Sequence, residues 1–196
     1  IAFQRHIHGY SLLSRSKIFV MRKLKVTELN RLTPYAFKES KKIPLIVVLD
    51  HVRSLNNVGS VFRTSDAFRV EAIYLCGITA CPPNAEIHKT ALGAEETVDW
   101  EYFKDTPEAV DKLRQEGYTV SAVEQAEGSV MLDNLQLDKT KKSAIVMGNE
   151  VKGVQQNVVD NCDICIEIPQ YGTKHSLNVS VTTGIVIWDF FKQLSD

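Results

Sequence analysis

The sequence predicts an α/β domain in which an open, mostly parallel sheet carries helices on both faces. From residue 43 onward, apolar runs alternate with segments of helical periodicity, which is typical of parallel sheets. The apolar runs are continuous, as expected for strands that are buried on both faces. The chain has 196 residues, which is enough for one such domain and hardly enough for two.

Each strand is predicted from a short run of apolar and β-branched residues. The clearest runs cover 45–49, 72–76, 118–123, 143–147 and 163–168, and a weaker one lies near 97–103. Open parallel sheets bind their ligands beyond the carboxyl ends of the strands. We therefore expect the functional residues in the loops that follow these runs.

Helices are predicted over 57–68, 85–92, 106–117, 155–161 and from 176 to about 194. The helix over 106–117 has the strongest boundary signals, with Thr106 as N-cap, Pro107 in the first turn and Gly117 at the end. The last helix is apolar on more than one face over 185–191. Because exposed apolar patches often mark interfaces, this helix predicts a symmetric homodimer.

Charge divides the chain into a basic N-terminal extension, 1–42, and a domain, 43–196. The extension has ten Lys or Arg and two acidic residues, a net charge of +8, whereas the domain has 13 basic and 22 acidic residues, a net charge of −9. This asymmetry favours a polyanionic partner, although a solvated face or a targeting peptide has a similar composition. Residues 21–42 are predicted as a short basic helix, with an apolar stripe of Leu24, Leu29 and Leu32.

Residues 1–20 contain Arg and Ser but no acidic residue, which fits either an organelle transit peptide or an extension upstream of a start at Met21. No apolar run reaches the roughly 20 residues of a membrane helix, so no membrane association is expected. Four cysteines in a chain of this size predict a reducing, cytoplasmic environment. Cys162 and Cys165 lie three apart on a predicted strand, so their side chains should point to opposite faces as small buried residues rather than bind a metal.

Two of the loops at the predicted strand ends carry unusual polar residues. The first, N-N-V-G-S-V-F-R over 56–63, has Asn57 in a position suited to cap a helix and Arg63 two turns further along. The second, M-G-N-E-V-K-G over 147–153, has two glycines that permit close backbone approach to a ligand. Val154 stands where a phosphate-binding P-loop needs Lys, which excludes that motif. Each segment alone is also compatible with an ordinary cap or turn.

A third loop, I-P-Q-Y-G-T-K-H-S-L-N-V-S-V over 168–181, runs into the last helix, where Ser176 is a good N-cap and Asn178 and Ser180 are poor helix formers. On its own it is compatible with capping and a small-residue packing face. In order, however, the three segments match N-x-x-x-x-x-R, G-N-E-x-x-G and I-P-x-x-G-x-x-x-S-L-N-V-S-V. The sequence therefore resembles the SpoU–TrmH family of the SPOUT superfamily over about residues 43–196.

The resemblance implies a trefoil knot near the C-terminus, a homodimer and S-adenosylmethionine bound within the knot. The cofactor-contacting residues that it implies are Val123, Glu124, Gln125, Met147, Gly148, Ile168 and Leu177. The polar residues that it implies around the reacting centre are Asn57, Arg63, Glu150, Ser176 and Asn178. The sequence departs from the family pattern at two places. Small or apolar residues are common where this chain has Gln170-Tyr171, and this difference affects how the target fits. Many members have Tyr-Glu where this chain has Trp188-Asp189, and this difference affects packing.

The activity that the resemblance implies is methyl transfer from S-adenosylmethionine to a ribose 2′-hydroxyl of RNA. A protein Arg is essentially always protonated, so we expect Arg63 to stabilise the developing alkoxide, with a substrate phosphate or solvent taking the proton. An inactive RNA-binding relative, an enzyme that methylates an RNA base and an unrelated nucleotide-binding module stay open as alternatives. Because residues 1–42 are short for a globular RNA-binding domain, transfer RNA is slightly favoured over ribosomal RNA.

Overall fold

A computed structural model describes residues 21–195, and its central sheet has seven strands. The strands are β1 (Ile43–Asp50), β2 (Val70–Cys76), β3 (Asp99–Phe103), β4 (Tyr118–Val123), β5 (Val130–Met131), β6 (Lys142–Met147) and β7 (Ile164–Glu167). Their order across the sheet is β3-β2-β1-β6-β4-β7-β5, and every pairing is parallel. The predicted α/β fold with an open parallel sheet is therefore confirmed.

Helices cover both faces of this sheet. They are α1 (Pro34–Glu39), α2 (Leu55–Ala67), α3 (Ala85–Ala91), α4 (Ala94–Thr97), α5 (Thr106–Gln115), α6 (Gln156–Val159) and α7 (Val179–Leu194). Successive strand residues point to opposite faces of the sheet, so the side chains of the buried strands pack into two separate cores, one on each face. Leu45, Val47 and Leu49 of β1 lie in the core with α2, α3 and α7, whereas Ile46 and Val48 lie in the core with α5 and α6.

Helix α2 is packed between α3 and α7. At Gly59, a Cβ atom would lie 2.2 Å from the Ile87 carbonyl oxygen, so only glycine permits this approach to α3. At the end of α2, the Phe68 ring lies 5.6 Å from the Trp188 ring of α7, measured between centroids. At the starts of the same two helices, Asn57 and Asn178 are hydrogen-bonded. The two helices therefore run side by side in the same direction, and their starts meet at one end of the sheet.

Three predicted helix caps are wrong by one to three residues. The observed caps are Ser54, Asp105 and Asn178 in place of the predicted Asn57, Thr106 and Ser176. Each of these stretches offers more than one side chain that can accept a backbone hydrogen bond, and tertiary contacts decide which one does. Thr106 instead donates its hydroxyl hydrogen to the buried Asp50, and Asn57 bonds to residues of two other segments.

The prediction of one basic helix over residues 21–42 is wrong. This stretch divides between two compact units, of which the first ends at Arg31 and the second begins at Leu32. In the first unit, a 3₁₀ turn, Val26–Glu28, is followed by Asn30 with a φ of 48°, a conformation that interrupts a helix. In the second, Pro34 begins α1 as prolines often begin helices, and Phe37 is buried.

The alternatives for residues 1–20, a transit peptide or an upstream extension, concern a segment outside the described residues. No helix among residues 21–195 is both long and apolar enough to cross a membrane.

The C-x-x-C pair lies at the start of β7. Cys162 precedes the strand and Cys165 lies within it, and both pack against the same apolar core. The prediction that their side chains point to opposite faces is wrong, because strand alternation does not extend to Cys162. Burial raises the pKa of the Cys162 thiol to about 12, so this thiol is protonated at neutral pH.

Candidate active site

A cleft of about 660 Å³ lies at the carboxyl ends of β4, β6 and β7, against the start of α7. Small-molecule sites commonly have volumes of about 300–1,000 Å³. In the sheet, β6 is inserted between β1 and β4, so strand order departs from chain order beside this cleft. Open α/β sheets bind ligands at such a switch in strand order, beyond the carboxyl ends of the strands, as expected from the sequence.

The glycine turn after β6, residues 148–153, forms one lip of the cleft and is stabilised by hydrogen bonds to the protein's own backbone. Asn149 and Gly153 exchange two backbone hydrogen bonds of 3.0 and 2.9 Å, and Asn149 Nδ2 donates to the His51 carbonyl oxygen at 2.7 Å. A Cβ atom on Gly148 would lie 2.2 Å from the Gly153 carbonyl carbon. At Gly153, with a φ of +68°, it would lie 2.1 Å from Glu124 Oε2. Gly148 is therefore required by the close approach of the backbone, and Gly153 by its positive φ, which other residues rarely adopt.

Glu150 connects this turn to the first polar segment. Its carboxylate accepts hydrogen bonds from the backbone N–H groups of Arg53 (3.0 Å) and Ser54 (2.9 Å) and from Asn57 Nδ2 (3.0 Å). Burial raises the pKa of Glu150, but the donors from Arg53, Ser54 and Asn57 outweigh it, so the pKa lies below the ordinary value of 4.5. At neutral pH the side chain is therefore an ionised acceptor.

Asn57 is also hydrogen-bonded to the third polar segment. Its Oδ1 accepts a hydrogen bond of 3.2 Å from Asn178 Nδ2, and Asn178 Oδ1 caps α7 by accepting from the Ser180 N–H at 2.9 Å. The hydrogen-bonded series Glu150–Asn57–Asn178, here called the polar relay, therefore joins one residue from each of the three sequence segments. Asn57 is buried, whereas the other two lie at the cleft.

Most of the site residues expected from the sequence come together at this cleft. The seven expected cofactor-contacting residues line it: Val123, Glu124, Gln125, Met147, Gly148, Ile168 and Leu177. Of the five expected around the reacting centre, Glu150, Ser176 and Asn178 line the cleft, and Asn57 is hydrogen-bonded to two of them. Arg63 does not line the cleft of its own chain: it is exposed on α2, and its guanidinium has no hydrogen bond or ion pair within residues 21–195.

Sequence reasoning missed several polar residues that line the cleft, namely Lys152, Glu167, Gln170, His175 and Thr182. All five are close to the quoted segments: Lys152, Gln170 and His175 lie within them, and Glu167 and Thr182 adjoin the two ends of the third. Thr182 lies four residues after Asn178, which places it one helical turn further along the same face of α7.

Residues 169–177, here called the strap, form a second lip of the cleft. Gln170, His175, Ser176 and Leu177 contribute its lining. One hydrogen bond joins the strap to the rest of the described chain, from Gln125 Nε2 to the His175 carbonyl oxygen at 3.0 Å. Because Gln125 follows β4, this bond ties the strap to the end of that strand.

Helix α7 leaves one apolar face uncovered. Val181, Ile185 and Trp188 are 53%, 38% and 49% exposed, and their spacing of four and three residues places them on one side of the helix. The other face of α7, with Val186, Ile187 and Phe190, is buried in the core. The predicted excess of apolar surface on this helix is therefore present.

The fold and the sequence are similar to those of known RNA-modifying enzymes. The TrmH/SpoU tRNA modifying enzyme of A. aeolicus superposes with a TM-score of 0.71 at 29% identity, over 80% of this chain and 78% of that one. The AdoMet-bound rRNA methyltransferase of Sinorhizobium meliloti superposes with a TM-score of 0.72 at 27% identity, over 85% of this chain and 62% of that one.

Among sequence relatives, the 23S rRNA (guanosine-2′-O-)-methyltransferase RlmB of Pseudomonas aeruginosa is 31% identical over 157 residues, which is 80% of this chain. This chain spans about 62% of the length of that relative. The sequence model of the SpoU rRNA Methylase family matches residues 44–188, well over half of the chain, and includes all three polar segments. The chain therefore belongs to the SpoU rRNA methylase family.

Proposed function

We propose that this protein transfers a methyl group from S-adenosylmethionine to a ribose 2′-hydroxyl of RNA. The observation that carries the proposal is the convergence of three distant sequence segments on one cleft at the strand ends, joined by the polar relay. The printed names of the relatives, which include a 23S rRNA 2′-O-methyltransferase and an AdoMet-bound rRNA methyltransferase, support the same activity.

The residues of the cleft fit S-adenosylmethionine by their chemistry. Met147, Ile168 and Leu177 offer apolar surface for an adenine ring, and Glu124 and Glu167 offer carboxylates for hydroxyl and ammonium groups. No phosphate-binding glycine loop is needed, because this cofactor carries no phosphate. When bound, S-adenosylmethionine supplies an electrophilic methyl group on a positively charged sulfur.

In this proposal the polar relay is a positioning device. Glu150 is held by three donors and in turn orients Asn57, which fixes Asn178 and thereby the start of α7. Leu177 precedes Asn178 directly, so the relay also fixes the backbone on which the cofactor would rest. Ser176 lines the cleft and has no hydrogen bond within residues 21–195, so its hydroxyl is available to the substrate ribose.

We propose that Arg63 acts at the cleft of a second copy of the chain in a symmetric homodimer. Arg63 is exposed on α2, which packs beside α7, and α7 carries the uncovered face of Val181, Ile185 and Trp188. An apolar stripe of this kind is suited to an isologous contact. There the guanidinium would stabilise the negative charge that develops on the attacking oxygen, a contribution of about 10²–10³ in rate. Sedimentation at micromolar concentration is expected to give twice the monomer mass of 22.0 kDa.

The activity is tested by incubating the chain with labelled S-adenosylmethionine and total RNA, followed by nucleoside mass spectrometry. Label recovered as 2′-O-methylnucleosides supports the proposal. Label recovered on a base identifies an enzyme that methylates RNA bases, and cofactor binding without any transfer identifies an inactive relative.

Separate transfer RNA and ribosomal RNA fractions in the same assay test the prediction of a transfer RNA target, since the relatives' names include enzymes for both. We also propose a cytoplasmic location, because all four cysteines are free thiols, as is usual in a reducing compartment.

A further inference from the structure

Tyr171, in the middle of the strap, is the most exposed aromatic residue that the structure describes. Its side chain is 96% exposed, and it makes no hydrogen bond or ring contact with any of residues 21–195. A ring that buries so little surface adds almost nothing to the hydrophobic stability of its own fold. Its position next to a cleft therefore points to a ligand rather than to packing.

Tyr171 lies at the mouth of the cleft. Its sequence neighbour Gln170 lines the cleft, and so does His175 four residues later. Because Gln170 and His175 line the cleft while Tyr171 between them is almost fully exposed, the ring lies on the outer side of that lip. The opposite lip is the turn with Lys152, which also lines the cleft.

The charged side chains at this mouth differ in their hydrogen bonds to the rest of the protein. The carboxylates of the cleft accept internal hydrogen bonds: Glu124 from the Val154 N–H, Glu150 from Asn57 Nδ2, and Glu167 from the Ser129 hydroxyl. By contrast, the side-chain ammonium groups of Lys152 and of the exposed Lys174 of the strap have no ion pair or hydrogen bond in the part of the chain that the structure describes. These two ammonium groups are therefore free to contact the phosphates of an approaching polyanion.

We propose that Tyr171 is a stacking platform for a base of the single-stranded RNA that enters the cleft, with Lys152 and Lys174 contacting its phosphates. The inference rests on the proposed function and adds the class of RNA that the site accepts. An exposed aromatic ring flanked by cations is how proteins hold unpaired bases, whereas the bases of a duplex are stacked on each other and present no face. The site accordingly selects loops and single strands over helices.

The test is the affinity of the full chain for a fluorescein-labelled, unstructured RNA of about 12 nucleotides, a length within the footprint of single-strand sites. Fluorescence anisotropy is measured for this RNA and for the same strand annealed to its complement. Tyr171→Ala is expected to weaken single-strand binding by about 5- to 100-fold, and Tyr171→Phe, which keeps the ring, by no more than about twofold. Duplex binding should change little in either variant.

Tyr102→Ala is the matched control, because Tyr102 is an exposed tyrosine on β3, at the opposite edge of the sheet. It should bind the single strand like the unmodified chain. Calorimetric binding of S-adenosylmethionine, unchanged in Tyr171→Ala, verifies that the cleft is folded. Lys152→Ala and Lys174→Ala should each reduce the dependence of affinity on salt by about one ion.

Single-strand binding by Tyr171→Ala equal to that of the unmodified chain would overturn the platform, and so would an equal loss for the duplex. Either result leaves the proposed methyl transfer intact. If the unmodified chain binds the single strand through Tyr171 but transfers no methyl group to any RNA, the proposed function fails while the platform stands. An unmodified chain that binds neither RNA overturns the platform, whereas methylation of total RNA decides the proposed function separately.

Discussion

Replacing Asn178 by Ala is expected to remove two separable interactions. The first is the cap of α7, since Asn178 Oδ1 accepts from the Ser180 N–H at 2.9 Å, and loss of such a cap costs about 1 kcal/mol. The second is the hydrogen bond of 3.2 Å to Asn57, worth about 1 kcal/mol. Each kcal/mol lowers the Tm of a chain of this size by about 2–4 °C. We therefore expect Asn178→Ala to lower the Tm by about 4–8 °C.

Asn178→Ser separates the helix cap from the hydrogen bond to Asn57, because a serine hydroxyl can still cap α7 but is too short to reach Asn57. Its Tm is expected to fall by only about 2–4 °C, while methyl transfer falls in both variants because both break the polar relay. Asn84→Ala is the matched control: Asn84 caps α3 away from the cleft, so stability falls and transfer does not.

Scanning calorimetry and single-turnover methylation measure the two effects. A Tm of Asn178→Ser as low as that of Asn178→Ala would refute the separate cap contribution. Normal transfer by Asn178→Ser would refute the role of the relay.

Three further changes test other parts of the site. Glu150→Gln should lose about 1 kcal/mol of unfolding free energy at pH 7, after allowance for solvent screening. Because the folded-state pKa of Glu150 is lowered, the difference in unfolding free energy between the unmodified chain and Glu150→Gln should persist above pH 4.5 and disappear as the pH falls below it. If urea unfolding gives the same difference at pH 7 and at pH 3, the ionised Glu150 carboxylate is not its cause. Arg63→Ala should reduce single-turnover methylation by about 10²–10³ with unchanged cofactor affinity, and Arg63→Lys should restore only part of the rate, whereas near-normal turnover would remove Arg63 from the mechanism. Removal of residues 1–31, which spares the buried Phe37 of α1, should weaken RNA binding and its salt dependence but not cofactor binding; unaltered RNA affinity would show that this basic segment does not contact RNA.

The sheet was largely predictable because its strands are continuous apolar runs. The run over 45–49 lies within β1, and the run over 118–123 coincides with β4. By contrast, β5 has only two residues, both exposed, so it leaves no periodicity to detect. Helix starts were less predictable, because Ser176 and Asn178 can both cap a helix and the bond from Asn178 to Asn57 is a tertiary contact.

The candidate site was predictable as a set of residues but not as a geometry. The resemblance supplied the seven cofactor-contacting positions, all of which line the cleft. It could not supply the polar relay, because hydrogen bonds between distant segments leave no local pattern. The distance of Arg63 from the cleft of its own chain likewise depends on how α2 packs against its neighbours. The trefoil knot and the individual roles of the site residues stay predictions.

The polar relay also bears on how the chain folds. The bond between Asn57 and Glu150 spans 93 residues, and the bond between Asn57 and Asn178 spans 121. Contacts this far apart in sequence close large loops, which costs chain entropy and slows folding. The relay can be completed only after the last helix has docked beside α2, although most of the sheet can pair before then. During refolding, the ability to bind a ligand in the cleft should therefore return after the secondary structure, and the final step of folding is also the step that creates the site.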